Sequence, residues 1–423
     1  MTFGSDGDVL PVIALSCGLQ EAGYRVRLAT VSEYRQLVIQ QKLEFIQLDI
    51  HNWGAKEAPT LAPTLAPFRD GHEYKSILKN PFLESFLFDL WEVCQGSDAI
   101  IFSLATFPCS YIAEKLKIPC WAAFLLPFHR TRTFTHPCMP GLAHLGSVYN
   151  LLSYSFYDRI VWQYIHQPLN KWRQEILGLP ALSPCSGIIP WLERKKIPCL
   201  YGYSNAFLPK PTDWSDWVNV TGYWFCDRKS DWQPPQNLVE FLEAGLPPVY
   251  IGFGNKGYFD PEKLTKLVLE ALEISGQRGI LLIGEDLSNK IDLPDRVFII
   301  DWVPFDWLFL KVAAVVHHGG LGTIHAAMKA GIPNIIIPYE EDNLFWAQRV
   351  AKLNLGSFPI LKQKLSANKL AEAINLVINN KTIHQNTAYM SKQIQTEKGV
   401  KRATEIFTRS LKSHNTISTS FYK

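Results

Sequence analysis

Apolar runs of strand length alternate with helix-length amphipathic stretches in the first half of the chain. Residues 24–30, 43–50 and 98–104 read as strands, and helical patterns lie between them at 9–22 and 81–96. Strands that alternate with helices are typical of βαβ units, in which the strands run parallel in one sheet. The pattern therefore predicts an α/β domain in this half.

A second α/β set begins near Leu238. Its apolar runs have the composition of buried parallel strands, and they lie at 248–254, 279–284, 296–302, 312–318 and 332–339. Helical patterns follow from about 366 to 412, and a polar tail ends the chain. The fold predicted is α/β with two doubly wound, Rossmann-like domains and a cleft between them.

The polar, proline-containing stretch between the two sets is typical of a linker. We therefore expect four parts: an N-terminal domain over 1–225, a linker over 226–237, a second domain over 238–395, and a final helix with a polar tail over 396–423. The proline-rich stretch 57–68 cannot form a helix or a central strand. It is predicted to be a surface loop, either beside a ligand cleft or without function.

The start of the chain is short for a doubly wound domain. Such a domain needs a buried strand that runs into its first glycine-rich turn. Only Met1, Thr2 and Phe3 precede Gly4, whereas a typical strand has about 5–6 residues. We therefore expect the natural protein to begin upstream of Met1, and Asp8 to lie on a mobile turn in this chain.

The segment 315–331 carries the strongest chemical signal. An apolar strand runs into two histidines and a glycine-rich turn, and a helix follows: His317, His318, Gly319, Gly320, Leu321, Gly322 and Thr323. Glycines let the backbone approach a ligand closely, and a helix N-terminus offers free N–H groups with a partial positive charge. This pattern predicts a diphosphate site. The alternative is an ordinary strand-to-helix turn with incidental histidines.

Other strand ends carry weaker signals. Asp342 and Asn343 follow the predicted strand 332–339, where they could bind sugar hydroxyls or where Asp342 could simply cap a helix. Trp302 ends another strand, as a stacking partner for a base or as a core residue. Asp8, in the glycine-rich turn 3–11, is a candidate general base or a helix cap.

Composition narrows the function classes. The net charge is +3 and the basic residues are scattered, so the sequence lacks a nucleic-acid footprint. The eight cysteines show no zinc-type spacing, which favours free thiols in a reducing compartment. We find no apolar run long enough to span a bilayer. Together these features predict a cytoplasmic protein, and the aromatic-rich acceptor half adds a possible peripheral contact with a membrane.

The motifs taken together resemble the sterol glucosyltransferase group of the inverting UDP-glycosyltransferases, which are related to antibiotic-aglycone glycosyltransferases. The segments that carry the resemblance cover most of the chain: FGSDGDVLP (3–11), TRTFTHP (131–137), PLNKWRQEILGLP (168–180), 201–225, PPVYIGFGN (247–255), VPFDWLF (303–309), HHGGLGTIHAAMKAGIP (317–333) and DNLFWAQRV (342–350). The segment 201–225 looks specific to the sterol group. The resemblance implies the GT-B fold, with acceptor bound by the N-terminal half and donor by the C-terminal half.

The resemblance also implies roles for individual residues. Asp8 matches the catalytic base of the family. The residues that it places at the donor are Gly4, Ser5, Gly254, Asn255, Trp302, Val303, His318, Gly320, Leu321, Gly322, Thr323, Asp342 and Asn343. The donor would be a UDP-hexose, with glucose as the expected sugar, and no metal would be required. The acceptor would be a sterol or a similar lipid-like alcohol.

Three positions depart from the family pattern. Asn343 stands where the family usually has Gln, Asn255 replaces a common Ser, and Phe305 replaces a common His. These changes leave the identity of the UDP-hexose open. They also keep open two alternatives to the transferase: a sugar-nucleotide epimerase or hydrolase, and a UDP-sugar-binding protein that has lost catalysis.

Overall fold

The computed structural model describes residues 1–48, 81–139, 145–226, 232–253, 260–283, 293–339 and 341–420. The proline-rich loop 57–68 and the candidate donor residues Gly254 and Asn255 lie outside these ranges. The chain divides into two compact units. Unit 1 comprises Met1–Asp227 together with Glu397–Lys423, and unit 2 comprises Arg228–Thr396.

Unit 1 is built on short parallel strands. Its strands are β1 (Arg27–Thr30), β2 (Glu44–Gln47), β3 (Ile100–Phe102), β4 (Cys120–Phe124), β5 (Cys199–Tyr201) and β6 (Val218–Val220). Its helices are α1 (Asp6–Glu21), α2 (Arg35–Gln40), α3 (Pro81–Cys94), α4 (Cys109–Leu116), α5 (Gly146–Glu175), α6 (Ile188–Lys195) and, from the end of the chain, α14 (Gly399–Ser420). The three strands predicted for this half are present, each shorter than predicted.

The first two residues join the two parts of the unit 1 sheet. β1 pairs with β2, and β3 to β6 pair in chain order. The Met1 amino group donates to the Ile101 carbonyl (2.8 Å), and the Met1 carbonyl accepts from the Ser103 N–H (3.1 Å). On the other side, the Thr2 N–H donates to the Ala29 carbonyl (3.2 Å). Met1 and Thr2 thus lie between β1 and β3, and the turn that follows them leaves at the carboxyl edge of the sheet.

Helix α14 packs against α1 and the sheet of unit 1. The Phe407 ring lies 4.4 Å from the Trp121 ring and 5.2 Å from the Tyr24 ring, measured between centroids. Gly18 allows close contact between the helices, because a Cβ there would lie 2.3 Å from Val400 Cγ1. α14 continues to Ser420. Most of the segment predicted as a polar tail is therefore helical.

Unit 2 has the five strands predicted for it. They are β7 (Val249–Gly252), β8 (Gly279–Leu282), β9 (Val297–Ile300), β10 (Ala314–His317) and β11 (Asn334–Ile336). Its helices are α7 (Gln236–Glu243), α8 (Pro261–Ser275), α9 (Phe305–Leu308), α10 (Leu321–Ala330), α11 (Glu341–Lys352), α12 (Ala367–Asn379) and α13 (Lys381–Thr396). The strand order is β11-β10-β7-β8-β9, and all pairs are parallel.

This strand order defines where unit 2 can bind a ligand. The chain starts at the central strand β7, builds outward through β8 and β9, and then returns to the other side of β7 with β10 and β11. In doubly wound sheets the crevice at such a reversal, outside the carboxyl ends of the strands, is the usual ligand site. Here that point lies between β7 and β10.

Two further searches bear on the candidate chemistry. Across the described ranges, no helix combines the length and apolar character needed to cross a membrane. Within the same ranges, no group of three or more His, Cys, Asp or Glu side chains is placed to hold a metal ion.

Candidate functional site

The loops after three strands of unit 2 meet at the point where the strand order reverses. The His318 ring, directly after β10, lies nearly parallel to the Tyr339 ring after β11, with 6.1 Å between centroids. Tyr339 also contacts Phe253, which follows β7, at 6.0 Å. Because parallel strands end at one edge, residues far apart in sequence come together there. Residues of this edge form the candidate donor site.

His317 holds the turn at the end of β10. Its side chain is buried, its Nδ1 accepts the Gly319 N–H (3.1 Å), and its Nε2 therefore carries the proton that bonds Asn334 Oδ1 (3.0 Å). Burial, with a smaller contribution from His318, lowers the pKa of His317 to about 3. The ring is thus neutral at physiological pH, and His317 positions the loop rather than contributing positive charge.

Gly319 makes the sharp turn that follows. Its φ is +101°, and a Cβ at this position would lie 2.8 Å from Ile336 Cγ2 and 3.1 Å from Asn343 Cβ. A side chain would therefore be strained by the backbone and would collide with its surroundings. The absence of one brings the glycine-rich loop against Asn343, so the structure places two of the predicted donor segments side by side.

The turn leads into the N-terminus of α10. Gly320 is the N-cap residue, and the first bond of the helix runs from the Ile324 N–H to the Gly320 carbonyl (3.1 Å). The N–H groups of Leu321, Gly322 and Thr323 precede that bond, so the helical ladder leaves them without acceptors. His318 lies over this end, because a Cβ on Gly320 would be 2.6 Å from His318 Nε2. Imidazole and helix N-terminus together can bind an anion.

Asp342 and Asn343 lie in the first turn of α11. The helix begins at Glu341, so Asp342 is inside it, and the interpretation of Asp342 as the helix cap is wrong. Asn343 is 2% exposed, and its Nδ2 lies 3.4 Å from Asp342 Oδ1. The amide is therefore largely shielded from solvent by its neighbours, including Gly319.

Trp302 and Val303 follow β9 and face different surroundings. Trp302 is 48% exposed, so it is not a core residue. Val303 is buried in an apolar cluster that includes Leu308 and Phe309. Its backbone is therefore the part of Val303 that remains to contact a ligand.

Asp8 lies in the first turn of α1, at the carboxyl edge of the unit 1 sheet. Its Oδ2 accepts hydrogen bonds from both the N–H and the hydroxyl of Ser5, each at 2.9 Å. Ser5 is the N-cap residue, so Asp8 supplies the returning bond of a capping box. Gly4, with φ +131°, packs against this carboxylate, because a Cβ there would lie 2.5 Å from Asp8 Oδ2. Asp8 is thus held in one orientation by Gly4 and Ser5.

Tyr223 marks the surroundings of that carboxylate. Burial first, and then the negative charge of Asp8, raise the pKa of the Tyr223 hydroxyl well above its usual range. Asp6, by contrast, is exposed and accepts a hydrogen bond from the Tyr34 hydroxyl (2.8 Å). Of the two acidic residues in the turn, Asp8 is therefore the one held next to an aromatic wall.

A cavity of about 250 Å³ lies within unit 1. Leu104 and Phe128, which follow β3 and β4, line it, together with Tyr154, Tyr157 and Asp158 of α5. The His136 ring stacks on Tyr157 with 3.9 Å between centroids. Since Leu104 and Phe128 follow their strands, the cavity lies at the carboxyl edge of the sheet, as Asp8 does. Its largely aromatic wall suits a bulky apolar ligand.

Asp158 is a polar feature of this cavity that the sequence analysis missed. Its Oδ1 accepts the N–H groups of Ile188 (3.1 Å) and Ile189 (3.2 Å) at the start of α6. Burial raises its pKa to about 6, against the effect of these bonds and of Arg130. The signal in the sequence was the single carboxylate within the aromatic run 153–165.

A pair of glycine substitutions tests the geometry of the turn. Gly319→Ala should destabilise unit 2 by about 1–3 kcal/mol more than Gly331→Ala does. Both glycines have positive φ (+101° and +77°), but a Cβ at Gly331 meets nothing closer than 3.5 Å. The midpoints of thermal unfolding of the two variants provide the measurement. Equal losses would show that the turn has room for a side chain.

Comparisons with known proteins agree with this arrangement. Residues 1–135 match the family model for the glycosyltransferase family 28 N-terminal domain. Residues 273–406 match the model for the C-terminal domain of erythromycin biosynthesis protein CIII-like proteins. The first match covers the turn with Asp8, and the second covers the loop and helix start with His318.

Individual relatives extend the similarity along the chain. A sterol 3-beta-glucosyltransferase of Cryptococcus neoformans var. neoformans serotype D is 34% identical over 445 residues, which cover 97% of this chain and 27% of the relative. The sterol 3-beta-glucosyltransferase of Yarrowia lipolytica is 36% identical over 433 residues, covering 97% and 28%. This chain therefore spans less than a third of the length of these two relatives.

A solved structure supports the fold. The glycosyltransferase VinC, in complex with dTDP, superposes with a TM-score of 0.67 at 16% identity, covering 97% of this chain and 98% of VinC. The two parallel-sheet units seen here are those of that fold. The chain therefore belongs to the UDP-glycosyltransferase superfamily of the GT-B fold, in which the sterol 3-beta-glucosyltransferases and the antibiotic-aglycone glycosyltransferases are its relatives.

Proposed function

We propose that this protein is an inverting glycosyltransferase that moves glucose from UDP-glucose to the hydroxyl of a sterol or a similar lipid-like alcohol. The observation that carries the proposal is the anion site in which His318 lies over the N-terminus of α10. The relatives named as sterol 3-beta-glucosyltransferases, which align with 97% of the chain, support the choice of acceptor.

The donor binds with its diphosphate at the start of α10. The N–H groups of Leu321, Gly322 and Thr323 and the imidazole of His318 supply hydrogen bonds to the phosphate oxygens. The dTDP complex of VinC, a protein of the same fold, supports a nucleoside diphosphate as the ligand. The exposed Trp302 stacks on the uracil, and Asp342 with Asn343 bonds hydroxyls of the sugar.

The chemistry is a single in-line displacement. Asp8 takes the proton of the acceptor hydroxyl as its oxygen attacks the anomeric carbon, which is general base catalysis worth roughly 10²–10⁴-fold. The bond from the anomeric carbon to the UDP oxygen breaks on the opposite face, so the anomeric configuration inverts. Negative charge grows on the leaving diphosphate, and the oriented N–H groups of α10 with His318 stabilise it. The residues named here balance that charge without a metal ion.

The acceptor enters the aromatic cavity of unit 1. A cavity of about 250 Å³ is close to the lower end of the range for small-molecule sites, roughly 300–1,000 Å³. It therefore encloses part of a sterol-sized molecule. Its aromatic wall removes apolar surface from water at about 25 cal/mol per Å², which favours an apolar ring system over a free sugar.

Release of UDP from UDP-glucose, with and without a sterol, tests the proposal. We expect release to depend on the sterol and to match the amount of sterol glucoside formed. Equal release without sterol would indicate a hydrolase. Tight UDP binding without any turnover would indicate a binding protein. A panel of UDP-hexoses in the same assay measures how Asn343, which is shorter than the usual Gln, affects sugar selection.

A further inference from the structure

Helix α5 of unit 1 carries an exposed row of apolar side chains. Leu145, at its N-cap, and Val148, Leu152 and Phe156 are 56%, 67%, 59% and 50% exposed. Their spacing of three, four and four residues places them on one face over about three turns, roughly 16 Å. Single exposed apolar residues are common on protein surfaces, but a contiguous row of large ones marks an interaction site.

The chain around the row has the charge of an interfacial helix. Between Leu145 and Tyr157 there is no charged residue. Arg130 borders the row, because its Nη1 donates to Ser155 Oγ (3.4 Å), and the exposed Arg159 lies three residues beyond Phe156. An uncharged apolar face with arginines at its edge is the pattern of a helix that lies in the headgroup region of an anionic bilayer.

A third arginine lies on the same side of unit 1. Arg132 is exposed, and its carbonyl accepts the side-chain N–H of Asn150 in α5 (2.8 Å). The nearby acid is Asp213, whose carboxylate accepts the Thr131 hydroxyl (2.7 Å) and the Arg132 N–H (2.8 Å). Three arginines thus border the row against one carboxylate that already accepts two hydrogen bonds.

The row is continuous with the acceptor cavity. α5 lines the cavity with Tyr154, Tyr157 and Asp158, and it presents the row on another face. Arg130, Ser155 and Arg159 line the cavity and are also exposed, so the mouth of the cavity borders the row. A lipid held in a bilayer beneath the row would reach this mouth without crossing water.

We infer that the N-terminal half of α5 is a membrane-docking surface that seats the protein peripherally on an anionic lipid bilayer. The apolar row inserts at the level of the headgroups, and the arginines contact lipid phosphates and carboxylates. A second copy of this chain is the competing occupant, but pairing two rows would bring arginines of both copies together. Passage of the acceptor from bilayer to cavity rests on the proposed function, whereas docking itself does not.

Flotation of the full chain with vesicles tests the surface. The vesicles contain phosphatidylcholine alone or with phosphatidylserine, at low and high salt. We expect the wild-type protein to float with phosphatidylserine vesicles and less so as salt rises. The double variant Leu152→Gln with Phe156→Gln should lose at least about tenfold in partitioning. Arg132→Gln should lose about fivefold on phosphatidylserine vesicles and little on phosphatidylcholine alone.

The matched control is Leu376→Gln on α12 of unit 2, a similarly exposed leucine (47%) outside the row. Its partitioning should equal that of the wild type. If the double variant unfolds, as judged by circular dichroism, Val148→Gln on the same row replaces it. The UDP-release assay with detergent-dispersed sterol is run in parallel, so failure of docking is distinguishable from failure of the proposed function.

Three results would overturn the inference. The wild-type protein would stay with the pellet or buffer at low salt with phosphatidylserine present. Alternatively, the folded double variant would float as well as the wild type. In the third case, light scattering would show a wild-type dimer that becomes a monomer in the double variant, while neither protein floats, which would assign the row to self-association.

Discussion

Asp8→Asn is expected to lower the rate of sugar transfer at least about 100-fold while leaving UDP binding nearly intact. The amide cannot take the proton of the acceptor hydroxyl. It can still accept the Ser5 hydrogen bonds that hold the carboxylate in the wild-type protein, so α1 keeps its cap. Steady-state turnover with UDP-glucose and a sterol, together with calorimetry for UDP, gives both quantities.

Asp6→Asn is the matched control for this experiment. Asp6 lies in the same first turn of α1 and carries the same charge, but it is exposed and bonds the Tyr34 hydroxyl. Its loss should change turnover by less than about threefold, in line with an exposed charge that affects the site only through solvent. An Asp8→Asn protein that retains more than about a tenth of wild-type turnover would assign the base to another residue.

His318→Ala is expected to weaken UDP binding by about 1–3 kcal/mol, which is the range for a hydrogen bond to a charged group. The imidazole lies over the N-terminus of α10, where it would contact the diphosphate. His317 keeps its bonds to Gly319 and Asn334 in this variant, so the turn itself should persist. The loss therefore reports the contact with the ligand, and calorimetry at one ionic strength measures it.

His384→Ala serves as the control, since His384 is an exposed histidine on α13 of the same unit. Its UDP affinity should match that of the wild type. Unchanged affinity in His318→Ala as well would remove the diphosphate from this loop. A large loss of thermal stability in His318→Ala would instead show that the ring supports the fold.

The strands of unit 2 could be predicted from the sequence because each is embedded in a long apolar run. β7 and β10 are central strands with buried side chains on both faces, and their runs stand out. In unit 1 the strands β4, β5 and β6 were not predicted. β5 and β6 have only three residues each, too few for alternation or run length to separate them from loops.

The roles within the site were harder to predict than its position. The sequence showed two adjacent histidines before a glycine turn, but not which of them faces inward. His317 is the last residue of β10 and is buried, so it bonds to the backbone of the turn, while His318 follows the strand and lies over the helix. Burial is a property of the packed sheet. It therefore depends on Asn334 and Ile336 of β11, which are remote in sequence from the turn.

The account is tested most directly by the structure of the product. The protein is incubated with UDP-glucose and a sterol, and the purified lipid product is characterised by mass spectrometry and proton NMR. We predict a sterol that carries one hexose, joined through its hydroxyl in the β configuration, because in-line displacement inverts the α linkage of UDP-glucose. An α-linked product, or free glucose with unmodified sterol, would contradict the account.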